Sequence, residues 1–489
     1  MAGVGFELKK LFAQRGLLAG LRAYGVSGAV CAGPMLLGVL MQLGLQLLCQ
    51  LFGRPAPERQ LTVCMITYSL LASLLITSVL SMVVTRFLAD MLFEERPAAV
   101  MPSFWGSTGL LLAAGGTLYG VFLCFSGAGA LHGFLCWTLF GELVVVWNAM
   151  NYLTAIKDYR GILQSFACAA AVALCLAAAG LALGLPTVAA VLAAVCTGYG
   201  VMLVWDVALL TRCFPAGEGS AFVFLQWCDE GWPLALTGLF TNLGLFGHLV
   251  LMWLGPLQLR VKGAFVGAPA YDVPSLLAFL TILVTTVNFV VSVEVNFYPK
   301  YRSYYALFND GGSIGDILQA GQEMLAVLKS ELWYTGLKQL FATGLAVALG
   351  GVLLTRLPLG MTDPMLGYFR VLCVGYGLYA VGNTAMLLLL YFTDYRGAMA
   401  CTGLFAGSAA VFTALSLFGS EAYFGFGFLL GAALFCLAAV LRLDWYTRRL
   451  PYFLLSRQPV AAEDKAGRFA RLAKKLHETL EVDPPWNQL

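Results

Sequence analysis

Charged side chains are scarce in this sequence. Asp, Glu, Lys and Arg together make up 11% of its 489 residues, whereas about a quarter is usual for a soluble protein. Hydrophobic residues make up 60%. Because this excess needs an apolar solvent, the composition excludes an ordinary soluble domain and predicts a polytopic membrane protein. The net charge is only +3, which excludes a globally basic nucleic-acid-binding protein.

Residues that bind metals or nucleotides are also few. There are three histidines, and no Cys-x-x-Cys or His-x-x-x-His pair occurs, so the sequence offers little for a metal site. The thirteen cysteines lie mostly in apolar runs, where a thiol behaves as a small hydrophobe. The glycine cluster at 309–313 lacks the Gly-Lys-Ser/Thr of a nucleotide loop, so we interpret it as a turn followed by a helix cap at Ser313 and Asp316. We expect no enzyme activity, no cofactor and no metal.

Twelve segments are long and apolar enough to cross a bilayer as helices, which needs about 20 mainly apolar residues each. The first six are 24–52, 61–85, 101–126, 131–156, 161–185 and 188–211. The second six are 232–254, 275–297, 335–355, 365–392, 397–418 and 422–441. The sequence therefore predicts an all-α polytopic membrane protein of about twelve transmembrane helices.

The distribution of Lys and Arg predicts the orientation. Most of them fall on segments that share one side of the membrane with the N-terminus, and nine lie from Arg442 onward. Because cytoplasmic segments carry the excess of positive charge, we expect both termini to be cytoplasmic. The predicted domains are a first six-helix bundle at 24–211, a second at 212–441 with a cytoplasmic helical insert at 298–334, and a basic cytoplasmic tail at 442–489.

Two amphipathic segments flank the spans. Residues 1–23 place charged and apolar side chains at helical spacing, which is typical of an interfacial helix leading into an uncleaved first span rather than of a signal peptide. Residues 465–480 combine five basic side chains with an apolar stripe, and we expect this helix to lie on anionic membrane lipid. Docking to a partner subunit is the alternative.

A short internal repeat relates the two halves. The tetrapeptide Asp-Tyr-Arg-Gly at 158–161 recurs at 394–397, each time between two spans. The offset spans six helices, an even number, so the sequence predicts two six-helix repeats that run in parallel. The repeat residues Asp158, Arg160, Asp394 and Arg396 are expected in tight cytoplasmic turns, where they would cap helices and pair with neighbours.

Parallel six-helix repeats are typical of alternating-access carriers. Two large superfamilies of carriers fit this count, and the major facilitators are one of them. Major facilitators usually carry a glycine-containing Gly-x-x-x-Asp-x-x-Gly-Arg-like turn after the second span, and the corresponding segment here, 85–96, has no glycine. This difference weighs against a major facilitator.

Several strings make the resemblance more specific. They are 1–11 (MAGVGFELKKL), 22–25 (RAYG), 33–34 (GP), 84–90 (VTRFLAD) and 304–313 (YYALFNDGGS). Over residues 1 to about 455 the chain resembles PelG, the Pel exopolysaccharide transport family of the MATE/MOP flippase superfamily. The resemblance implies export of Pel-type amino-sugar exopolysaccharide for a biofilm matrix across the bacterial inner membrane. It also implies a synthase complex with a cytoplasmic glycosyltransferase and membrane partners, one of them a cyclic-di-GMP receptor.

Polar groups inside the spans are the candidates for a substrate path, because burying them in a membrane is costly. Carboxylates and amides can hydrogen-bond sugar hydroxyls, and aromatic rings can pack on the apolar faces of sugars. The candidates are Glu142, Asn148, Asn151, Asn288, Glu294, Arg370 and Asn383, with the rings of Trp147, Tyr376 and Tyr379. The alternative roles are amide hydrogen bonds between helices, and a structural salt bridge between Glu142 and Arg370.

Gly33 and Pro34 lie within the first span. Proline removes one helical hydrogen bond and bends the chain, so these residues are candidates for a gate or kink.

Two rival functions are compatible with the same residues. A lipid-linked oligosaccharide flippase would bind a diphosphate and would call for buried basic residues, of which only Arg86 and Arg370 lie in or at the spans. A membrane scaffold would recruit the glycosyltransferase without transporting anything.

Overall fold

The fold is described from a computed structural model covering residues 17–156, 159–214, 217, 219–309, 311–356, 360–456 and 467–480. Helices account for nearly all of this part of the chain. The helices before the first strand are α1 (Leu17–Leu51), α2 (Ala56–Phe93), α3 (Val100–Phe125), α4 (Ala130–Ile156), α5 (Tyr159–Ala182), α6 (Thr187–Cys213) and α7 (Trp227–Met252). Two short strands follow, β1 (Leu259–Lys262) and β2 (Phe265–Gly267).

The remaining helices of the described residues follow the two strands. They are α8 (Pro269–Phe279), α9 (Leu283–Val291), α10 (Tyr298–Asn309), α11 (Ile314–Arg356), α12 (Asp363–Tyr391), α13 (Tyr395–Ser416), α14 (Phe426–Thr447), α15 (Leu450–Ser456) and α16 (Arg468–Leu480). In the described part of the chain, 11 helices are long and apolar enough to cross a membrane, and Met35–Leu51 of α1 is a shorter apolar helix. The prediction of an all-α polytopic membrane protein is confirmed.

The eighth predicted span is not one regular helix. A 3-10 turn at Leu280–Ile282 separates α8 from α9, and a π-helix at Ser292–Phe297 follows α9 directly. Polar side chains recur through this region, and Thr285, Asn288 and Ser292 bond to the neighbouring helix α11. Irregular backbone at membrane depth is tolerated where protein groups cover it, which fits this arrangement.

Helix α11 joins part of the predicted cytoplasmic insert to the ninth span. It runs without a break for 43 residues, whereas the hydropathy pattern predicts a span only at 335–355. The start of α11 matches the predicted cap. The backbone N–H of Asp316 donates to the Ser313 hydroxyl at 3.2 Å, and the Ser313 hydroxyl donates to the Asp316 carboxylate at 2.7 Å.

The chain forms two compact units. One comprises Pro34–Leu243, Leu259–Gly267 and Val460–Leu489; the other comprises Met1–Gly33, Gly244–Gln258 and Ala268–Pro459. One division between them falls between Gly33 and Pro34, inside α1, and another falls at Gly244, inside α7. The predicted bundle boundaries at 211 and 441, and the parallel relation of the repeats, stay predictions.

Small residues allow close helix packing inside each unit. A Cβ on Gly198 of α6 would lie 2.6 Å from the carbonyl oxygen of Ala169 on α5. In the other unit, a Cβ on Gly427 of α14 would lie 2.5 Å from the backbone of Thr413 on α13. Both helix pairs therefore approach to backbone contact, which larger residues would prevent.

The β-hairpin is held against its own unit by α2 and the α3–α4 turn. The Tyr68 hydroxyl on α2 donates to the carbonyl of Val266 at 3.0 Å, and Ala264 N–H donates to the carbonyl of Ser126 at 2.9 Å. Phe265 is fully buried. The hairpin therefore packs on α2 and on the α3–α4 turn.

Candidate functional site

An elongated groove of about 860 Å³ lies along α6 in the unit that contains Pro34–Leu243. Its lining includes Glu142 of α4 and a run of α6 residues from Cys196 to Arg212. An α-helix rises about 24 Å between positions 196 and 212, so the groove is long. Its volume is in the range of sites that bind small molecules.

Glu142 is the acidic group of this groove. It lies against Gly200 of α6, at which an added Cβ would be 3.4 Å from the Glu142 Oε1 atom. Its Oε2 atom is buried and has no hydrogen-bond partner in the described structure. A carboxylate of this kind is available to a ligand, a cation or a proton.

Trp205 and Arg212 supply an aromatic ring and a positive charge to the same groove. They are separated by seven residues, or two helical turns, so they lie on one face of α6. Trp205 is 38% exposed and Val204 beside it is 67% exposed. The groove therefore combines a carboxylate near one end, a ring and apolar wall in the middle, and a guanidinium near the other end.

Asn148 lies away from the groove, in a buried network between α3 and α4. Its Nδ2 donates to the hydroxyls of Ser107 and Thr108, both at 2.9 Å. The Tyr152 hydroxyl lies 3.1 Å from Ser103 Oγ and 3.3 Å from Ser107 Oγ. These contacts hold two helices together, although the Oδ1 atom of Asn148 is buried without a partner among the described residues.

Trp147 and Asn151 lie on the face of α4 that packs against α2. The Trp147 indole donates to Ser73 Oγ at 3.0 Å, and Ser81 Oγ donates to Asn151 Oδ1 at 2.9 Å. Both side chains are half-buried. The structure thus brings these two predicted path residues together, on a different face of α4 from Glu142.

Asp206 is a buried acid on α6, directly next to Trp205. Its side chain is fully buried. Ser165 of α5 lies next to the Asp206 carboxylate. The Ser165 hydroxyl donates its hydrogen bond to the carbonyl of Ile162 instead, at 2.9 Å. Within the described part of the chain, both carboxylate oxygens of Asp206 are buried without a hydrogen-bond partner.

Asn288 belongs to a polar seam between α9 and α11 in the other unit. Its Nδ2 donates to Thr335 Oγ1 at 2.7 Å, and its Oδ1 accepts from Lys338 Nζ at 2.5 Å. One turn away, Thr285 donates to Gln339 Oε1 at 2.6 Å. Amides and hydroxyls spaced by one helical turn therefore hold these two helices together.

Glu331 continues the same seam at the π-helix. It accepts hydrogen bonds from Ser292 at 2.5 Å and from Asn296 at 2.7 Å. The predicted path residue Glu294 is in this π-helix, but its side chain lies outside the described residues.

Tyr376 lies in a buried cluster around His248. Its hydroxyl is 2.7 Å from Ser275 Oγ and 3.3 Å from His248 Nε2, and His248 Nδ1 is 2.9 Å from the Tyr271 hydroxyl. All four side chains are at most 2% exposed. Both ring nitrogens of His248 and all three hydroxyls have a partner in this cluster. The cluster therefore holds α7, α8 and α12 together.

The other predicted path residues on α12 differ in their surroundings. Tyr379 is buried, with its ring centroid 5.5 Å from Phe405 and 6.1 Å from Phe435. Asn383 is half-buried, and Arg370 is exposed beside Gly351 of α11. Glu142 and Arg370 belong to different units, and their pairing stays a prediction.

The second copy of the repeated turn has a capping role. Asp394 accepts a hydrogen bond from the backbone N–H of Gly397 at 3.2 Å, which caps α13. It also accepts two bonds from Arg442, whereas Arg396 is exposed. In the first copy, Asp158 and the side chain of Arg160 lie outside the described residues.

At the predicted gate, Gly33 is buried inside α1, and the side chain of Pro34 lies outside the described residues. Helix α1 is continuous through both positions. The gate stays a prediction.

A tyrosine-rich helix, α10, packs near the Asp394 turn. The rings of Tyr301 and Tyr305 are 4.3 Å apart, and the Tyr301 hydroxyl donates to the carbonyl of Tyr391 at 3.1 Å. Burial raises the pKa of Tyr304 to about 12 and raises the pKa of Tyr305 further. Both phenols therefore stay neutral at physiological pH and act as packing groups.

Sequence reasoning missed Trp205 and Arg212 as groove residues, and Tyr271 and Gln339 as members of buried networks. For the groove, the sequence does contain a signal: residues 197, 201, 205, 208 and 212 recur at helical spacing and place a ring and a cation on one face. The buried networks join residues far apart in the chain, and local patterns carry no signal for them.

Solved structures of similar architecture show the class of fold. A MOP superfamily transporter from Pyrococcus furiosus matches with a TM-score of 0.59 and 12% identity, over 88% of this chain and 96% of that one. A MATE transporter solved in complex with MaL6 matches with a TM-score of 0.61 and 13% identity, over 88% and 97%. A multidrug resistance MATE transporter in an outward-facing conformation has a TM-score of 0.56 and 13% identity, over 88% and 97%. The chain has the fold of a MOP superfamily transporter.

The sequence itself defines the family. The profile of the PelG family, described as "Putative exopolysaccharide Exporter (EPS-E)", matches residues 1–454. The chain belongs to this family. No curated protein sequence matches it.

Proposed function

We propose that this protein exports a Pel-type amino-sugar exopolysaccharide across the bacterial cytoplasmic membrane, as the membrane channel of a synthase complex that builds a biofilm matrix. Membership of an exopolysaccharide exporter family over residues 1–454 is the observation that carries the proposal. The transporter fold supports it independently, since a fold of this class moves substrates between helix bundles.

The groove along α6 is the proposed contact with the polymer. Trp205 offers a flat apolar surface for the face of a sugar ring, and Glu142 offers a buried carboxylate to hydroxyl or amide groups. The wall between them consists mainly of apolar side chains such as Val201 and Leu209. A few polar contacts on an apolar wall hold a sugar chain weakly, which suits a polymer that must slide.

The remaining sequence candidates complete the proposed path. Asn151 and Trp147 are half-buried and adjacent. Asn148, Asn288, Tyr376 and Tyr379 have buried contacts that favour a structural role, so we rank them below the groove residues.

The energy for export has two candidate sources. A glycosyltransferase at the cytoplasmic face would push the growing chain through the membrane. Alternatively, a cation or proton bound at Glu142 would couple its own movement to transport. We favour the first source, because the groove offers a single carboxylate among the described residues.

The proposed orientation places both termini in the cytoplasm, from the distribution of Lys and Arg. Helix α10 and the first half of α11 would then face the cytoplasm. These segments are the proposed contact with the glycosyltransferase and with the membrane partner that senses cyclic-di-GMP.

Reconstitution of the protein with its synthase in vesicles tests the proposal. Labelled sugar nucleotide is supplied to the synthase on the outside of the vesicles. We then expect labelled polymer in the lumen, where it is protected from added glycosidase. Polymer that stays outside while the synthase remains active and bound would support a scaffold instead. Transfer of a lipid-linked oligosaccharide without polymer export would support a flippase.

A further inference from the structure

The C-terminal helix α16 lies beyond the residues matched by the family, which end at 454. It is strongly amphipathic. Phe469, Leu472, Ala473 and Leu476 mark one side of the helix, and the opposite side carries basic side chains at helical spacing, namely Arg468, Arg471, Lys474 and Lys475. Because the family match ends before this helix, family membership does not account for it.

Helix α16 is docked on its own unit. Ala473 at its centre is 3% exposed. The helix packs against the 3-10 turn Val223–Gln226, which leads directly into α7. Because α7 is a membrane-spanning candidate, α16 lies at the end of a span.

Asp229 fixes the N-terminus of α16. Its Oδ1 accepts from the backbone N–H of Phe469, and its Oδ2 accepts from that of Ala470, both at 2.9 Å. A carboxylate at this position satisfies two otherwise unpaired helix donors and faces the positive end of the helix dipole. Asp229 is itself in the first turn of α7, so the helix is joined to the start of that span.

Docking leaves the basic side of α16 facing outward. The four basic side chains are exposed, and among the described residues Glu478 opposes them weakly, at 3.9 Å from Lys474. Phe469 and Leu472 remain 38% and 44% exposed. The helix therefore offers both positive charge and apolar side chains to its surroundings.

We propose that α16 is an interfacial anchor that binds anionic membrane lipid. Two observations favour lipid over an acidic protein partner. The first is that α16 is fixed at the end of a membrane-spanning helix. The second is that its exposed surface combines the basic side with Phe469 and Leu472, which are the partly exposed residues of the apolar side. An acidic protein surface would match the charges but would leave Phe469 and Leu472 without apolar contacts, whereas the headgroup and acyl regions of a bilayer match both.

Hydrogen exchange on the full-length protein in nanodiscs tests this proposal. One set of nanodiscs contains phosphatidylcholine alone, and the other contains phosphatidylcholine mixed with phosphatidylglycerol. Several basic residues lie near the anionic surface, and each adds to the attraction. We therefore expect the amides of 468–480 to exchange about tenfold more slowly in the anionic nanodiscs.

Two variants separate docking from lipid binding. Replacing the four basic residues by glutamine should abolish the lipid dependence and leave Ala473 docked. Asp229→Ala should speed exchange about fivefold in both lipids, as the loss of a helix cap predicts. Glu230→Ala is the matched control, because it removes a neighbouring exposed carboxylate that does not bond to the described residues of α16.

Equal exchange rates of 468–480 in neutral and anionic nanodiscs would overturn the proposal. So would slowing that occurs only when the glycosyltransferase or another soluble protein is added, which would assign the basic side to a protein partner.

Discussion

Asp394, at the start of α13, accepts two hydrogen bonds from the Arg442 guanidinium on α14. The Nε–Oδ2 distance is 2.6 Å and the Nη2–Oδ1 distance is 3.1 Å. Asp394 is 2% exposed, and Arg442 also lies over the ring of Trp445. The repeated Asp-Tyr-Arg-Gly turn thus joins α13 to α14 at one end of its unit.

Asp394→Ala is expected to lower the free energy of unfolding by about 3 kcal/mol. The substitution removes a helix cap and leaves a partly buried Arg442 without its carboxylate. Thermal unfolding in detergent measures the effect. Arg396→Ala, in the same turn and exposed, should change stability by no more than about 0.5 kcal/mol. Equal effects of the two variants would contradict the assigned role of Asp394.

Tyr376→Phe is expected to destabilise the protein by about 1–3 kcal/mol, because it leaves the buried Ser275 and His248 with one partner fewer. Unfolding in detergent again provides the measurement. Tyr379→Phe is the control, because the Tyr379 ring packs beside Phe405 and Phe435 and this ring is retained. A loss of export with unchanged stability in Tyr376→Phe would instead place Tyr376 on the path.

Glu142→Gln is expected to lower polymer export about tenfold, which corresponds to ~1.4 kcal/mol of lost interaction. The variant keeps the shape of the side chain and removes the charge from the groove. Export into vesicles is measured at equal protein level. Glu230→Gln, an exposed acid of the same unit outside the groove lining, should export normally.

Trp205→Ala is expected to lower export about fivefold, because a lost ring contact is worth ~1 kcal/mol. Trp205→Phe keeps an aromatic surface and should recover most of the activity. Trp105→Ala is the control, because it removes an exposed ring of the same unit that does not line the groove. If Trp105→Ala reduces export as much as Trp205→Ala, the effect is general and the ring has no specific role.

The sequence predicts the membrane class and most of the spans, because repeated runs of about 20 apolar residues are typical of helices that cross a bilayer. It does not predict that α11 is one helix through both the charged stretch near Lys329 and the apolar span. Hydropathy predicts which residues of a helix lie in the membrane. Whether the helix continues beyond them depends on backbone hydrogen bonds, which form in both stretches.

The site is less predictable than the fold. Glu142 stands out because an isolated acid in a span is rare. Tyr376 is a path candidate because of its ring, yet its hydroxyl lies within hydrogen-bond distance of Ser275, 101 residues away, and of His248, 128 residues away. Such pairings depend on how helices pack, and the spacing of residues along one helix contains no information about them.

Photo-crosslinking during export tests most directly whether the polymer passes along α6. A photoreactive amino acid replaces Val204, which is 67% exposed in the groove, or Leu118, which is 64% exposed in the same unit outside it. Each variant is reconstituted with the synthase and illuminated while labelled polymer is made. We predict labelled polymer attached to the protein at position 204 and not at position 118. Equal labelling at the two positions, or labelling only at 118 while export proceeds, would contradict a path along α6.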